Sequence, residues 1–190
     1  MNMGSRDIQV ILDTTHFAAQ KHRLQRRKGP EASAYINHPI EVAKILSELG
    51  GVEDIAMLQA AILHDTIEDT ETSGDELERE FGAEVRGLVE EVTDDKSLEK
   101  SERKRRQIEK APKLSPRAKQ IKIADKICNI RDVACQPPVQ WPLQRRQEYL
   151  DWAGKVVAGC RGVNPALESK FDELLVNARN LLETVKNLAG

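Results

Sequence analysis

The feature that most constrains the fold is a nine-residue apolar run that ends abruptly in polar residues. In residues 55–63 only Gln59 is polar, and residues 64–69 then supply one histidine and three carboxylates. A helix that is apolar on nearly every side has to be surrounded by other elements. The run therefore predicts a central, buried helix that starts after an Asp54 N-cap and continues to about Glu68.

The rest of the sequence predicts further helices around this one. Hydrophobic residues make up 39% of the 190 residues, charged residues 32% and aromatic residues only 4%. This profile favours helices over strands. Helical periodicity and caps place the other helices at about residues 7–22, 39–49, 73–81, 83–92, 117–133, 143–161 and 165–186. We expect an all-α protein, a compact bundle of about eight to ten helices, with residues 1–190 forming a single domain.

Charge and hydropathy exclude several classes of partner. The formal net charge is −2, which gives no global attraction to nucleic acid or to an anionic membrane. No stretch approaches the roughly 18 apolar residues that a membrane span needs, and residues 1–7 lack the apolar region of a signal peptide. We expect a cytoplasmic protein that binds neither nucleic acid nor membrane, and the sequence leaves its oligomeric state open.

The cysteines carry no predicted function. Cys128, Cys135 and Cys160 are odd in number and form no C-x-x-C pair. Such a set suggests neither a disulfide framework nor a structural zinc site. We expect three free thiols.

The polar residues that follow the apolar run form the first candidate site. On a helix that continues through Glu68, His64 lies one turn from Glu68 and Asp65 one turn from Asp69, so all four fall within an arc of about 140°. Three carboxylates this close repel one another, which raises their pKa values or demands a cation. The cluster therefore predicts a divalent metal site.

Two other residues are candidate ligands only in combination with this cluster. Asp125 lies at the margin of the apolar stripe of its predicted helix, followed by Asn129 and Asp132 on the same row. His38 directly precedes Pro39, which disfavours helical geometry at the histidine and places it at a loop-to-helix junction. A lone histidine or aspartate in such a place is more often a cap or an ion-pair partner.

The joint order of His38, His64-Asp65 and Asp125 resembles the H…HD…D signature of the HD superfamily of metal-dependent phosphohydrolases. Further segments resemble the hydrolase domain of the RelA/SpoT family. These are Arg26-Arg27-Lys28, Tyr35-Ile36-Asn37-His38-Pro39, His64-Asp65-Thr66-Ile67-Glu68-Asp69-Thr70, Phe81-Gly82 and Ala124-Asp125-Lys126 with Asn129. The stand-alone form, of the metazoan SpoT homologue type, is the most similar, because residues 90–96 match it and the chain leaves no room for a synthetase or regulatory domain.

Two positions depart from the family pattern. Ala34 precedes Tyr35 where the family often has a proline, and Cys128 stands where small relatives tend to carry an aromatic residue. We expect the first departure to loosen the loop and the second to alter the lining around the nucleotide base. Neither touches a proposed metal ligand.

The resemblance implies an HD-domain fold and a metal-dependent mechanism. One Mn²⁺ ion is expected to be held by His38, His64, Asp65 and Asp125. This mixed set of nitrogen and oxygen ligands suits manganese better than structural zinc. Glu68 and Asp69 are the expected catalytic residues, which orient a water molecule and move its proton.

The resemblance also implies the substrate, the alarmones guanosine tetra- and pentaphosphate. Hydrolysis of their 3′-pyrophosphate would give GDP or GTP and pyrophosphate. Five of the eight residues 21–28 are basic, which on its own is equally typical of a solvated charged surface. The expected substrate contacts are Arg27 and Lys28, with Lys100 and Arg103 reaching the pyrophosphate and Asn129 reaching the ribose or a phosphate.

Other functions fit parts of the same pattern. HD proteins also include nucleotidases and cyclic-nucleotide phosphodiesterases, and small SpoT homologues are candidates for removing the 2′-phosphate of NADPH. The Arg26-Arg27-Lys28 segment together with Glu68 and Asp69 favours the alarmone. A catalytically silent alarmone-binding module or a regulatory partner is the alternative from a different class, and the intact ligand set argues against it.

Overall fold

The computed structural model describes residues 4–189, so the two ends of the predicted 1–190 domain lie outside the described residues. Within this range the chain forms ten α-helices and no β-strand, which confirms the all-α prediction and the number of helices. The helices are α1 (Ser5–Lys21), α2 (Asn37–Glu48), α3 (Ile55–Leu63), α4 (Thr66–Asp69), α5 (Gly74–Phe81), α6 (Ala83–Val92), α7 (Lys100–Lys110), α8 (Pro116–Cys135), α9 (Leu143–Cys160) and α10 (Pro165–Ala189).

The apolar run forms the centre of the bundle, as its pattern predicts. Every residue from Met57 to Leu63 is buried in α3, including Gln59, whose amide donates to the Thr14 hydroxyl of α1. Helices α1, α2, α6 and α8 pack around α3, while α9 and α10 cover the other side of α8. The two central helices α3 and α8 therefore carry the polar residues of interest into the interior.

The predicted helix through Glu68 is wrong in one respect, because α3 ends at Leu63 and α4 starts only at Thr66. Side chains at this corner bind the carbonyls that end α3. The Thr66 hydroxyl donates to the Leu63 carbonyl at 2.7 Å, and His64 Nδ1 donates to the Ala61 carbonyl at 2.8 Å. His64 and Asp65 thus lie at a corner between two helices, where both side chains turn toward α8.

The start of one helix and the presence of another also differ from the sequence prediction. Helix α2 begins at Asn37, so His38 lies in its first turn rather than before it. Helix α7 covers residues 100–110, for which the charge pattern predicted no helix. Its exposed face is held by ion pairs such as that of Arg106 with Glu102, and its Lys104 carbonyl accepts from the Trp152 indole of α9.

Two further expectations concerned membrane spans and cysteines. No helix among residues 4–189 has both the length and the apolar character that a membrane crossing requires. Cys128, Cys135 and Cys160 are all free, which confirms that prediction, and Cys135 is the exposed member of the three.

Candidate metal centre and substrate pocket

Three parts of the chain bring the predicted metal ligands together. His38 comes from the first turn of α2, His64 and Asp65 from the corner after α3, and Asp125 from the middle of α8. His38 Nε2 lies 3.1 Å from Asp125 Oδ1, and His64 Nε2 lies 3.0 Å from Asp65 Oδ2. The two crossed pairs are each 3.8 Å apart. Ligand atoms of His38, His64 and Asp65 all lie within 4.8 Å of one another, and Asp125 joins them through both histidines.

The state of His64 shows that this cluster is suited to a cation. Because Nδ1 donates to the Ala61 carbonyl, the lone pair of the neutral ring lies on Nε2, which faces the carboxylates. This nitrogen is buried at 3.0 Å from Asp65 Oδ2, and in the neutral ring it forms no hydrogen bond with any of residues 4–189. Burial alone would lower the pKa of His64, but Asp65 and Asp125 raise it to about 9. A positive charge at Nε2, either a proton or a metal ion, is therefore strongly favoured.

The two carboxylates are kept ionised despite their burial. Burial would raise the pKa of each, but His64 lowers that of Asp65, and Lys126 and His38 lower that of Asp125. Two imidazole nitrogens and two carboxylate oxygens are thus available as ligands in a closed space. This donor set fits a divalent transition metal with room for water.

Three outer residues orient the carboxylates. The Tyr35 hydroxyl donates to Asp65 Oδ2 at 2.6 Å. On the other carboxylate, Lys126 Nζ donates to Asp125 Oδ2 at 2.8 Å and Asn129 Nδ2 donates to Asp125 Oδ1 at 2.5 Å. Such partners fix the direction in which a ligand oxygen points. Sequence reasoning gave no role to Tyr35 or Lys126, although a lysine on the apolar face of α8 was a signal that it needs an anionic partner.

Lys126 is expected to contribute strongly to stability. Only 4% of its surface is exposed, and its ammonium group also lies 4.8 Å from the centre of the Trp152 ring. Replacing Lys126 with methionine leaves Asp125 buried without this partner, which should cost about 3–5 kcal/mol in the metal-free protein. Chemical denaturation measures this loss.

The matched control is Lys44→Met, because Lys44 pairs with Glu48 at 3.8 Å on the exposed surface of α2. Such exposed pairs contribute less than about 1 kcal/mol. Equal destabilisation by the two substitutions would show that the buried pair has no special weight.

The proposed catalytic carboxylates, Glu68 and Asp69, lie in the short helix α4, which directly follows the candidate ligand Asp65. Glu68 Oε2 accepts from the Asp94 amide at 3.3 Å, and Arg103 lies 3.6 Å from Oε1. Burial, together with the charges of Asp94, Asp65 and Asp69, raises the pKa of Glu68 to about 7. Asp69 is held on both sides, by the Gln25 amide at 2.8 Å on Oδ2 and by an ion pair with Lys96 on Oδ1. A carboxyl group that titrates near neutral pH is suited to proton transfer.

A cavity of about 520 Å³ adjoins the cluster, which is large enough for a nucleotide. Three of the predicted substrate contacts, Arg27, Lys28 and Asn129, line it. The lining also includes Gln25, Tyr35, Asp69, Lys96, Asp132, Trp141 and Tyr149. Because Tyr35 and Asn129 bond to the two ligand carboxylates, the cavity opens beside the metal centre.

The other two predicted contacts, Lys100 and Arg103, lie outside this lining. Lys100 Nζ stands 5.8 Å from the centre of the ring of Trp141, a lining residue, whereas Arg103 faces Glu68. Sequence reasoning missed Trp141 and Tyr149, because they belong to a proline-rich connection and to α9, which carry no chemical motif.

The arrangement around Arg27 combines charge with an aromatic surface. Its guanidinium donates to Asp132 at 2.6 Å and to Asn129 at 3.1 Å, and it lies 5.5 Å from the centre of the Tyr35 ring. Desolvation would lower the pKa of Arg27, but Asp132 raises it above its usual value. A permanently charged, forked donor is thus fixed at the cavity wall, which suits recognition of phosphate.

Comparison with known proteins agrees with this geometry. A family model described as the HD domain matches residues 14–151, the range that contains all four candidate ligands. The chain belongs to the HD-domain family. The order of histidines and aspartates noted in the sequence thus lies within the part of this HD-domain protein that the family model matches.

Two curated relatives, from Xenopus tropicalis and Homo sapiens, match this HD-domain protein over nearly their whole length. Both are named guanosine-3′,5′-bis(diphosphate) 3′-pyrophosphohydrolase MESH1. The Xenopus protein is 54% identical over 91% of this chain and 97% of its own length. The human protein is 56% identical over 90% of this chain and 96% of its own length.

A solved structure shares the fold. It is described as a metazoan ortholog of SpoT that hydrolyzes ppGpp, and it matches with a TM-score of 0.89 and 48% identity over 95% of this chain and 99% of its own. The likeness to the RelA/SpoT family, and to the metazoan SpoT homologue type within it, is thereby confirmed.

Proposed function

We propose that this protein is a Mn²⁺-dependent guanosine-3′,5′-bis(diphosphate) 3′-pyrophosphohydrolase, which converts ppGpp to GDP and pppGpp to GTP with release of pyrophosphate. The observation that carries this proposal is the buried cluster of two histidines and two aspartates beside a cavity lined by Arg27 and Lys28. The relatives that share nearly the whole chain bear the name of this activity.

In this proposal a single Mn²⁺ ion is held by His38, His64, Asp65 and Asp125. The buried Nε2 of His64, which faces the carboxylates of Asp65 and Asp125, and the mixed donor set support this assignment. When bound, the ion supplies Lewis acidity, which lowers the pKa of a coordinated water molecule and polarises a phosphoryl oxygen.

The protein's own groups position the substrate and move the proton. Arg27 and Lys28 bind phosphate oxygens from the cavity wall, and Asn129 contacts the ribose or a phosphate. Lys100 and Arg103 reach the pyrophosphate, the latter from beside Glu68. Glu68 accepts the proton of the attacking water, because its raised pKa matches neutral pH.

Asp69 orients the same water molecule in this mechanism. It lines the cavity while its two oxygens are held by Gln25 and Lys96. We also propose that residues 1–190 act as a single hydrolase domain, because one buried cluster takes side chains from Ala18 in α1 to Leu182 in α10. The cytoplasmic location expected from the sequence stays a prediction.

A substrate panel tests the function. The purified protein with Mn²⁺ is given ppGpp, pppGpp, NADPH, GTP and a cyclic nucleotide, and pyrophosphate, orthophosphate and the nucleotide products are measured separately. We expect pyrophosphate from the two alarmones at a far higher kcat/KM than any product from the others. Faster release of orthophosphate from NADPH or GTP would replace the proposed substrate. Tight binding of ppGpp without any product would make the chain a binding module.

A further inference from the structure

His22 is a buried histidine that has no role in the mechanism above. It follows α1 at the helix end, is 2% exposed, and lies behind the cavity rather than in its lining. Its ring packs against Tyr35 with 4.9 Å between centroids and an interplanar angle of 32°. Nδ1 lies 2.6 Å from Gln25 Oε1, while Nε2 is buried and has no hydrogen-bond partner in the described part of the chain.

This contact determines which ring nitrogen carries the proton. The oxygen of the Gln25 amide can only accept a hydrogen bond, so the proton must lie on Nδ1. Nε2 then keeps its lone pair, as expected for a buried nitrogen with no acceptor nearby. The structure therefore places a proton of His22 on Nδ1.

Because the buried Nε2 of His22 faces no acceptor among residues 4–189, the ring proton is favoured on Nδ1, and there it favours one orientation of the Gln25 amide. With its oxygen bound to His22, the NH₂ group of Gln25 faces Asp69 and donates to Oδ2 at 2.8 Å. A flipped amide would place its oxygen against the Asp69 carboxylate and its NH₂ group against the Nδ1–H of His22. Both contacts would be repulsive. His22 thus selects the one amide orientation that holds Asp69.

We propose that His22 is a positioning residue for Asp69, acting through Gln25. This inference rests on the proposed function, in which Asp69 orients the attacking water. The other support of Asp69 is Lys96, whose side chain is 47% exposed, so solvent weakens this ion pair. The support formed by Gln25 and His22 is less exposed than Lys96, and it fixes the direction in which Asp69 Oδ2 points.

A set of variants tests this inference. His22→Leu removes the donor and should lower kcat about 10–100-fold, as loss of an outer-sphere hydrogen bond typically does, with KM and Mn²⁺ affinity unchanged. His22→Asn restores an N–H donor near the position of Nδ1 and should recover most of the lost kcat. The control is His16→Leu on the exposed face of α1, which should match the wild type.

A double-mutant cycle separates this role from a merely structural one. If His22 acts through Gln25, then Gln25→Leu alone should reproduce the loss in kcat, and the double variant should be no slower than Gln25→Leu. Thermal unfolding of each variant is measured in parallel. A wild-type kcat in Gln25→Leu, or fully additive losses in the double variant, would overturn the inference, even if His22→Leu itself does not fold.

Nuclear magnetic resonance of the wild-type protein gives a readout that is independent of activity. In the wild type, the ¹⁵N shifts of His22 should show the Nδ1–H tautomer, and the side-chain amide protons of Gln25 should exchange slowly with solvent. In His22→Leu the same amide protons should exchange rapidly. A His22 that is protonated on Nε2 only would overturn the inference. If the wild type releases no pyrophosphate from ppGpp but shows this tautomer and exchange pattern, the proposed function fails while the positioning of Asp69 by His22 stands.

Discussion

Replacing Asp65 with alanine is expected to abolish release of pyrophosphate from ppGpp, with a loss in kcat/KM of at least about 10³-fold. Asp65 Oδ2 lies 3.0 Å from His64 Nε2 and 3.8 Å from His38 Nε2, so its removal takes a ligand from the centre of the cluster. Its loss should also weaken Mn²⁺ binding, which isothermal titration calorimetry measures. The fold should persist, because the lost group is a ligand rather than core volume.

The matched control is Asp151→Ala, since Asp151 is an exposed carboxylate that pairs with Arg179 at 2.8 Å on the surface. This variant should keep the rate and the metal affinity of the wild type. Wild-type turnover by a folded Asp65→Ala protein would refute the assigned metal centre.

Replacing Glu68 with glutamine is expected to lower kcat by roughly 10²–10⁴-fold, because the amide cannot accept the proton of the attacking water. The pKa of Glu68 is raised to about 7, so the carboxyl group of the wild type becomes protonated, and inactive as a base, as the pH falls below this value. The wild-type kcat should therefore fall on the acidic side of neutral pH, and Glu68→Gln should lose this pH dependence. Steady-state rates across the pH range measure both effects.

The same substitution should have the opposite effect on stability. The pKa of Glu68 is higher in the folded protein than its ordinary value of 4.5, so its ionisation destabilises the fold as pH rises from 4.5 to about 7. Glu68→Gln should therefore raise the Tm of the metal-free protein above neutral pH. Glu71→Gln, an exposed carboxylate nearby, is the control and should change neither property. A faster Glu68→Gln enzyme, or an unchanged pH profile, would contradict the role of Glu68.

The central helix was predictable because its evidence is local. A run that is apolar except for Gln59 can only be accommodated in the interior, and α3 is buried as that pattern requires. The end of α3 was not predictable from periodicity, because it depends on Thr66 and His64 binding carbonyls of the preceding turn. Helix α7 was missed for a related reason, since its stability comes from ion pairs and from contact with Trp152 rather than from an apolar stripe.

In the candidate site, too, some residues could be predicted from the sequence and others could not. The order of His38, His64, Asp65 and Asp125 could be recognised in the sequence, and the structure brings these residues together. Tyr35 carries no signal of its own until Asp65 is placed beside it, and the signal of Lys126, its position on the apolar face of α8, does not identify its partner Asp125. Charge alone does not place Lys100 and Arg103, because neither lies in the cavity lining, and their contact with the substrate stays a prediction.

The most direct test of the proposed Mn²⁺-dependent activity is the release of pyrophosphate from ppGpp by the purified protein, first with Mn²⁺, then after addition of a chelator, and again after Mn²⁺ is restored. This activity should give equal amounts of GDP and pyrophosphate while Mn²⁺ is present, stop when the chelator is added and recover with the metal. Release that the chelator leaves unchanged, or no release from a protein shown to bind Mn²⁺, would contradict it.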